Sequence, residues 1–233
     1  MAGPVASGIL RFFESGSKKQ AIASAIAEGG SGSLLLLGLN SEGMRRRNHM
    51  MIQNGAGHTI KLQKVYLHWG KMKEPPTPVI QHQHQDECLF HAAGGWAISG
   101  SSGIVTYQLD DDTYLHIMWD CPINFDFSDN FVGLYLCGKK EREPVPSLFK
   151  TMYQDISNPK MMPEKGSCYD LVCCGPGEGT YLGFAGRTRT KTWGVRRPCE
   201  VRNEKFYATM TMGDRHKTSS KVTILGKEFW PKF

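Results

Sequence analysis

The chain has 233 residues and a formal charge of +6, from 28 Lys and Arg against 22 Asp and Glu. Hydrophobic residues make up 40% and charged residues 21%, the balance of a folded chain that can bury a sizeable core, not of a disordered one. The positive excess is too small for a nucleic-acid-binding arm, and no apolar run approaches the roughly 18–20 residues that a spanning helix needs, so both classes are set aside.

Residues 1–44 form a segment apart, poor in β-branched residues and rich in Ala, Gly and Ser. Val5, Ile9, Phe12 and Phe13 follow helical spacing with Ser7, Arg11 and Glu14 opposite, and Ile22 and Ile26 line a second short amphipathic piece that opens on the capping box Ser17–Gln20. A helix over 5–28 would be about 36 Å long, enough to cross a bilayer core, although a surface helix covering the domain has the same pattern. Gly29–Gly32 reads as a joint. No positively charged stretch followed by an apolar one marks a cleaved leader, so a cytosolic or unconventionally exported protein is expected. Seven cysteines, an odd number without a C-x-x-C pair, predict reduced, partly buried thiols in place of a zinc ribbon or a disulfide framework.

From residue 45 to 233 the texture is that of strands, and this stretch is read as one β domain. Ile60, Leu62, Val65 and Leu67 alternate with one change of phase, which predicts a bulge. Val105, Tyr107 and Leu109 alternate, Asp110–Asp112 turns the chain, and Leu115, Ile117 and Trp119 alternate back as a hairpin. Val132, Leu134 and Leu136 predict another strand, with late strands over 206–211 and 222–225. Pro146–Ile156 is the helical exception, carrying Leu148/Met152 and Phe149/Tyr153 as i,i+4 pairs. Many strands with few helices predict an antiparallel β-sandwich.

Enzyme motifs are absent: there is no G-x-S-x-G, H-E-x-x-H or Walker-A pattern, no covalent chemistry is expected, and no cofactor is called for. Gly175–Gly179 reads as a loop because Glu178 would repel a phosphate. On a strand, His82, His84, Asp86 and Cys88 would share one face, as metal ligands could; solvated edge residues give the same pattern, and no metal is assigned. Arg45–Arg47 and the set Arg187, Arg189, Lys191, Arg196 and Arg197 suit phosphate-bearing partners or a solvated face. The most informative run is Trp119–Phe131, in which rings recur among Asn, Asp and Ser. Phe125, Phe127 and Phe131 on an exposed loop would meet a membrane interface; folded inward they would be core.

These motifs together resemble the actinoporin family, the pore-forming cytolysins of sea anemones and their relatives. Gly100-Ser101-Ser102-Gly103-Ile104-Val105-Thr106-Tyr107 is similar to the family's G-x-x-G-[VI]-[LV]-x-Y strand, and Trp119-Asp120-Cys121-Pro122 to its [FW]-S-V-P hairpin end. Ile123-Asn124-Phe125-Asp126-Phe127 stands at the aromatic Y-D-Y-N loop. Lys64–Gly70 resembles the x-x-Y-[FL]-x-S-G strand end, and Leu148–Gln154 the M-Y-x-x-[LM]-Y-Y helix.

The resemblance implies a β-sandwich flanked by two short helices. It further implies a secreted soluble monomer that binds phosphocholine headgroups, sphingomyelin among them, inserts its N-terminal amphipathic helix into the target membrane and assembles as a homo-oligomeric, cation-permeable pore. The pore helix would present Val5, Ile9, Phe12, Phe13, Ile22 and Ile26. The headgroup site would comprise Trp69, Ser102, Asp120, Pro122, Phe127, Phe149, Tyr153 and Gln154, with Trp69, Phe125, Phe127 and Phe131 at the membrane interface. Several of these replace family residues: Trp69 and Asp120 stand for serines, Ser102 for a valine, Phe127 and Phe149 for tyrosines and Gln154 for another. Aromatic walls persist while hydroxyl donors are lost, and Asp120 would attract choline and repel phosphate. The alternative is a non-lytic lipid- or glycan-binding module on the same sandwich, as in fungal fruit-body lectins.

Overall fold

The computed structural model describes residues 46–93, 100–122, 130–139, 145–157, 168–174, 179–182, 188–191, 197–213 and 217–230. The N-terminal segment, with Val5, Ile9, Phe12, Phe13, Ile22 and Ile26, therefore lies outside the described residues, as do Phe125, Phe127 and most of the glycine-rich run at 175–179.

Two six-stranded sheets face each other. The first has the order β12-β13-β14-β1-β5-β3, built from Cys199–Arg202, Phe206–Met212, Lys217–Gly226, Arg47–Gly55, Gln85–His91 and Lys71–Glu74. The second has the order β4-β2-β6-β7-β8-β9, built from Val79–Ile80, Ile60–Trp69, Ser101–Gln108, Thr113–Cys121, Phe131–Gly138 and Tyr169–Cys173. A separate ladder pairs β10, Gly179–Leu182, with β11, Thr188–Lys191. Neighbours run antiparallel except β1 and β14, which are parallel, Arg47 opposite Lys217 through to Gly55 opposite Leu225. Among the described residues one α-helix occurs, α1, Val145–Ser157. The fold is thus mainly β, as the alternation predicts.

The predicted hairpin is β6–β7. Asp110 closes it by accepting the backbone N–H groups of Asp112 and Thr113 at 2.9 and 2.6 Å, the side-chain turn chemistry that the Asp run announces. Strand β2 carries two register shifts, at Leu62/Lys64 and at Leu67/Trp69, where one phase change was expected. The His82–Cys88 reading needs correction. Strand β5 begins at Gln85, and the chain before it turns, with Gln83 at φ 63°, so His82 and His84 do not share a strand face with Asp86 and Cys88.

The inner faces make one core. Met50, Ile52, Phe90, Val222 and Ile224 of the first sheet meet Val105, Leu115, Ile117, Trp119, Val132 and Leu134 of the second. Burial of these branched and aromatic side chains is the main source of stability, about 1.5–3 kcal/mol for each. The outer face of the second sheet is covered as well. There α1 lays Val145, Leu148, Phe149 and Met152 on Ile104, Met118 and Leu171. Gly133 makes room for this, since a Cβ there would come within 2.7 Å of the Met152 Cε and closer still to Leu171. Strands β6, β7 and β8 are therefore buried on both sides. Their polar alternates Ser102, Thr106, His116 and Asp120 are interior, although the sequence pattern alone would leave them in water.

Candidate functional site

At one end of the outer face, four residues named from sequence fall into a single cross-strand row. Trp69 pairs with Ser102, Ser102 with Asp120, and Asp120 with Phe131, through the registers β2–β6, β6–β7 and β7–β8. Opposed residues in an antiparallel ladder share a face, so the row sets a ring, a hydroxyl, a carboxyl and a second ring side by side. The β2 bulge completes it. His68 is the extra residue there, and its ring lies 4.9 Å from that of Trp69 and stacks on Phe149 at 4.7 Å with 28° between planes. Phe149 in turn stacks on Tyr153 at 5.7 Å, and Tyr66 tilts against Phe149 at the same centroid distance. The helical i,i+4 pair Phe149/Tyr153 thus meets the strand residues Tyr66 and His68.

Burial runs along the row. His68 is exposed and Trp69 half-buried, whereas Ser102 is fully buried, Asp120 is 4% exposed and Phe131 is 8% exposed. Pro122 and Tyr153 are half-buried, Phe149 is buried, and Gln154 is exposed on α1. Phe131 opens β8 opposite Asp120 and is nearly closed to solvent, and Phe149 packs in the α1 cluster with Ile104 and Met118.

Electrostatics are set by this burial. Desolvation raises the Asp120 carboxyl to about 7, so it is no permanent anion at neutral pH, in contrast with the charge that sequence assigns to it. Among the described residues nothing donates a hydrogen bond to that carboxyl, and the Ser102 hydroxyl beside it is buried with no partner. Desolvation, and then the nearby Asp120 charge, raises the Tyr153 phenol, while desolvation of the His68 ring where it packs on Phe149, although its residue still reaches solvent, lowers the imidazole and favours its neutral form. Neither histidine nor arginine is therefore set against Asp120 as a counter-ion among the described residues. The Arg46 guanidinium acts on Cys121, the next residue of β7, whose side chain belongs to the opposite, inner face.

The basic clusters dissolve in part. Arg46 is buried, and its guanidinium is lowered by desolvation to about 10. Arg197 grips Asp170 through two N–H groups at 2.5 and 2.6 Å, so it holds the fold and is not displayed to an anionic partner. Arg45, Arg187 and Arg196 lie outside the described residues. Sequence reasoning also missed a buried chain further along the same outer face, where Thr106 Oγ1 meets His116 Nδ1 at 2.9 Å and His116 Nε2 meets the Cys137 sulfur at 3.4 Å. The only signal for it was the polar alternates of β6 and β7.

No family model matches the chain, and no curated protein matches it by sequence. Its structure is similar to that of a lipid-binding protein, Nakanori, with TM-score 0.52 and 12% identity over 88% of this chain and 85% of that one. The fold is actinoporin-like. At that identity the likeness concerns the backbone arrangement alone, and the actinoporin-like sandwich positions the row without assigning it a ligand. A Xerocomus chrysenteron lectin, XCL, aligns with TM-score 0.39 and 8% identity over 78% of this chain and 99% of that one.

Proposed function

We propose that this protein is a membrane-lipid-binding module that takes a headgroup at the Trp69–Asp120 end of the outer sheet face. The observation that carries the reading is the row itself: two strand rings, a buried carboxyl and a hydroxyl with no partner among the described residues, gathered at the end of the sheet where β7 stops and β8 starts. Rings of this kind suit the headgroup level of a bilayer, and stacked aromatics beside a carboxyl suit an ammonium such as that of phosphocholine. That a protein described as lipid-binding has the same fold supports a lipid partner. Binding requires no covalent step, and the protein is read as acting outside the cell on a membrane surface.

Pore formation is the second reading, favoured by the amphipathic spacing of residues 5–28. It adds an inserted helix and a homo-oligomer to the same docking step.

One experiment tests both. The full chain, the Trp69→Ala variant and a chain lacking residues 1–28 are floated with phosphatidylcholine vesicles, with and without sphingomyelin, and release of an entrapped dye is followed. Flotation of the full chain that Trp69→Ala weakens by about tenfold is expected from loss of a ring worth roughly 1–2 kcal/mol at a desolvated cation site. Unchanged flotation by the variant removes the aromatic platform. Dye release that disappears on truncation establishes the pore; binding without release leaves the module alone.

A further inference from the structure

The row has an unusual charge arrangement. A carboxyl lies in its middle, flanked by Ser102 and Phe131 along the ladder, with Trp69 beyond Ser102 and the Tyr153 side chain of α1 near enough to feel its charge; Tyr153 in turn stacks on Phe149, which stacks on His68. Ser102 brings a buried hydroxyl with no bond partner among the described residues, directly across the ladder from the carboxyl. Among the described residues, the titratable groups that feel Asp120 are Tyr153 on α1 and Cys121 on its own strand, with His68 on β2 behind Tyr153, and its cross-strand neighbours on β6 and β8 are Ser102 and Phe131. None of them is a cation at neutral pH.

Resting on the proposed headgroup reading, we infer that the Asp120 carboxyl exchanges a proton for the ammonium of the bound headgroup, so that protein-bound proton and ligand compete for one site. The ammonium enters from the Trp69–His68 end, where the row reaches solvent, and the proton leaves to solvent. The bound cation is then the counter-ion that no described residue supplies to the buried carboxylate, with the row's rings closing around its methyl or methylene shell. By linkage, a ligand that binds the ionised form is weakened wherever the carboxyl is protonated in the free protein, and its binding lowers the proton affinity by the same factor. With the free carboxyl near 7, affinity rises with pH below that value and levels off above it. A phosphate recognised by this row would show the opposite trend, because ionised Asp120 would repel it.

The test measures flotation of the full chain with phosphatidylcholine vesicles from about pH 5.5 to 8.5, beside phosphatidylglycerol vesicles, which offer the phosphate without the ammonium. The expected result is a partition coefficient that increases up to roughly tenfold per pH unit below neutrality and then is flat, for the choline lipid only. Asp120→Asn and the smaller Asp120→Ser should both bind at the wild-type low-pH level with no pH dependence; two variants guard against one that misfolds. Soluble choline and phosphocholine in molar excess separate headgroup recognition from adsorption to the lipid surface, and displacement by either supports the exchange. Phosphatidylcholine binding that is independent of pH, stronger in acid, matched by phosphatidylglycerol, or displaced by neither competitor overturns the inference while leaving lipid binding intact. Absence of flotation at every pH overturns the headgroup reading, and the exchange with it.

Discussion

The indole of Trp119 lies against the ring of Phe90, centroids 4.1 Å apart and 30° between planes, and this contact joins the two sheets at the centre of the sandwich. Trp119 is fully buried, and its Nε1–H donates to Ser101 Oγ at 3.2 Å, so both its apolar body and its polar tip are satisfied on the inner face. Trp119→Ala should therefore cost about 3–5 kcal/mol, from lost burial and the cavity left behind. A shift of the urea midpoint, at unchanged slope, measures it. A loss under about 1 kcal/mol would mean that the sheets do not depend on this contact.

Asp170 and Arg197 make the second joint between the sheets, β9 to the start of β12. The carboxylate is fully buried and also accepts the Glu200 backbone N–H at 2.8 Å, while its hydrogen bonds, foremost, raise the Arg197 guanidinium. Arg197→Ala would leave a buried carboxylate without its charge partner, and a destabilisation of about 3–5 kcal/mol is expected. Denaturant unfolding checks this beside the double variant Arg197→Ala/Asp170→Asn, which should recover part of the loss; no recovery would argue against the buried charge as the cause.

Asp120 predicts how stability depends on pH. Its folded value, about 7, lies above that of an unfolded carboxyl, so the folded state binds the extra proton. The sign follows: its favourable contribution is complete below about pH 4, is lost progressively as pH rises to 7, and is gone above that. The loss amounts to about 4 kcal/mol at most, at roughly 1.4 kcal/mol per pH unit. Unfolding by denaturant at steps between pH 4 and 8 should show this decline in the wild type and a flatter profile in Asp120→Asn. Parallel profiles would locate the titration elsewhere.

The thiols divide by burial. Cys88, Cys121, Cys137, Cys174 and Cys199 are buried, and burial pushes the Cys88, Cys121 and Cys199 thiols upward, whereas Cys168 is exposed. Brief alkylation of the folded protein followed by peptide mapping should mark Cys168 and spare those five until denaturant is added. Modification of Cys199 at the rate of Cys168 would contradict the closed core at β12.

Much of the scaffold was legible in the residues themselves. The alternation Val105–Tyr107 and Leu115–Trp119 around an Asp turn could only be a hairpin with one apolar face, and the i,i+4 pairs Leu148/Met152 and Phe149/Tyr153 could only share a helix side. Period and local turn chemistry act over a few residues, so they survive in the sequence. What covers the other face of a strand is decided by segments far away in the chain, and that was not legible. Residues 145–157 close over Ile104 and Met118, register sets Phe131 beside Asp120, and a bulge aims His68 at Phe149. The acidity of Asp120 belongs to this second class. A carboxyl has its ordinary value wherever water reaches it, and it is burial in the folded protein that keeps water from this one.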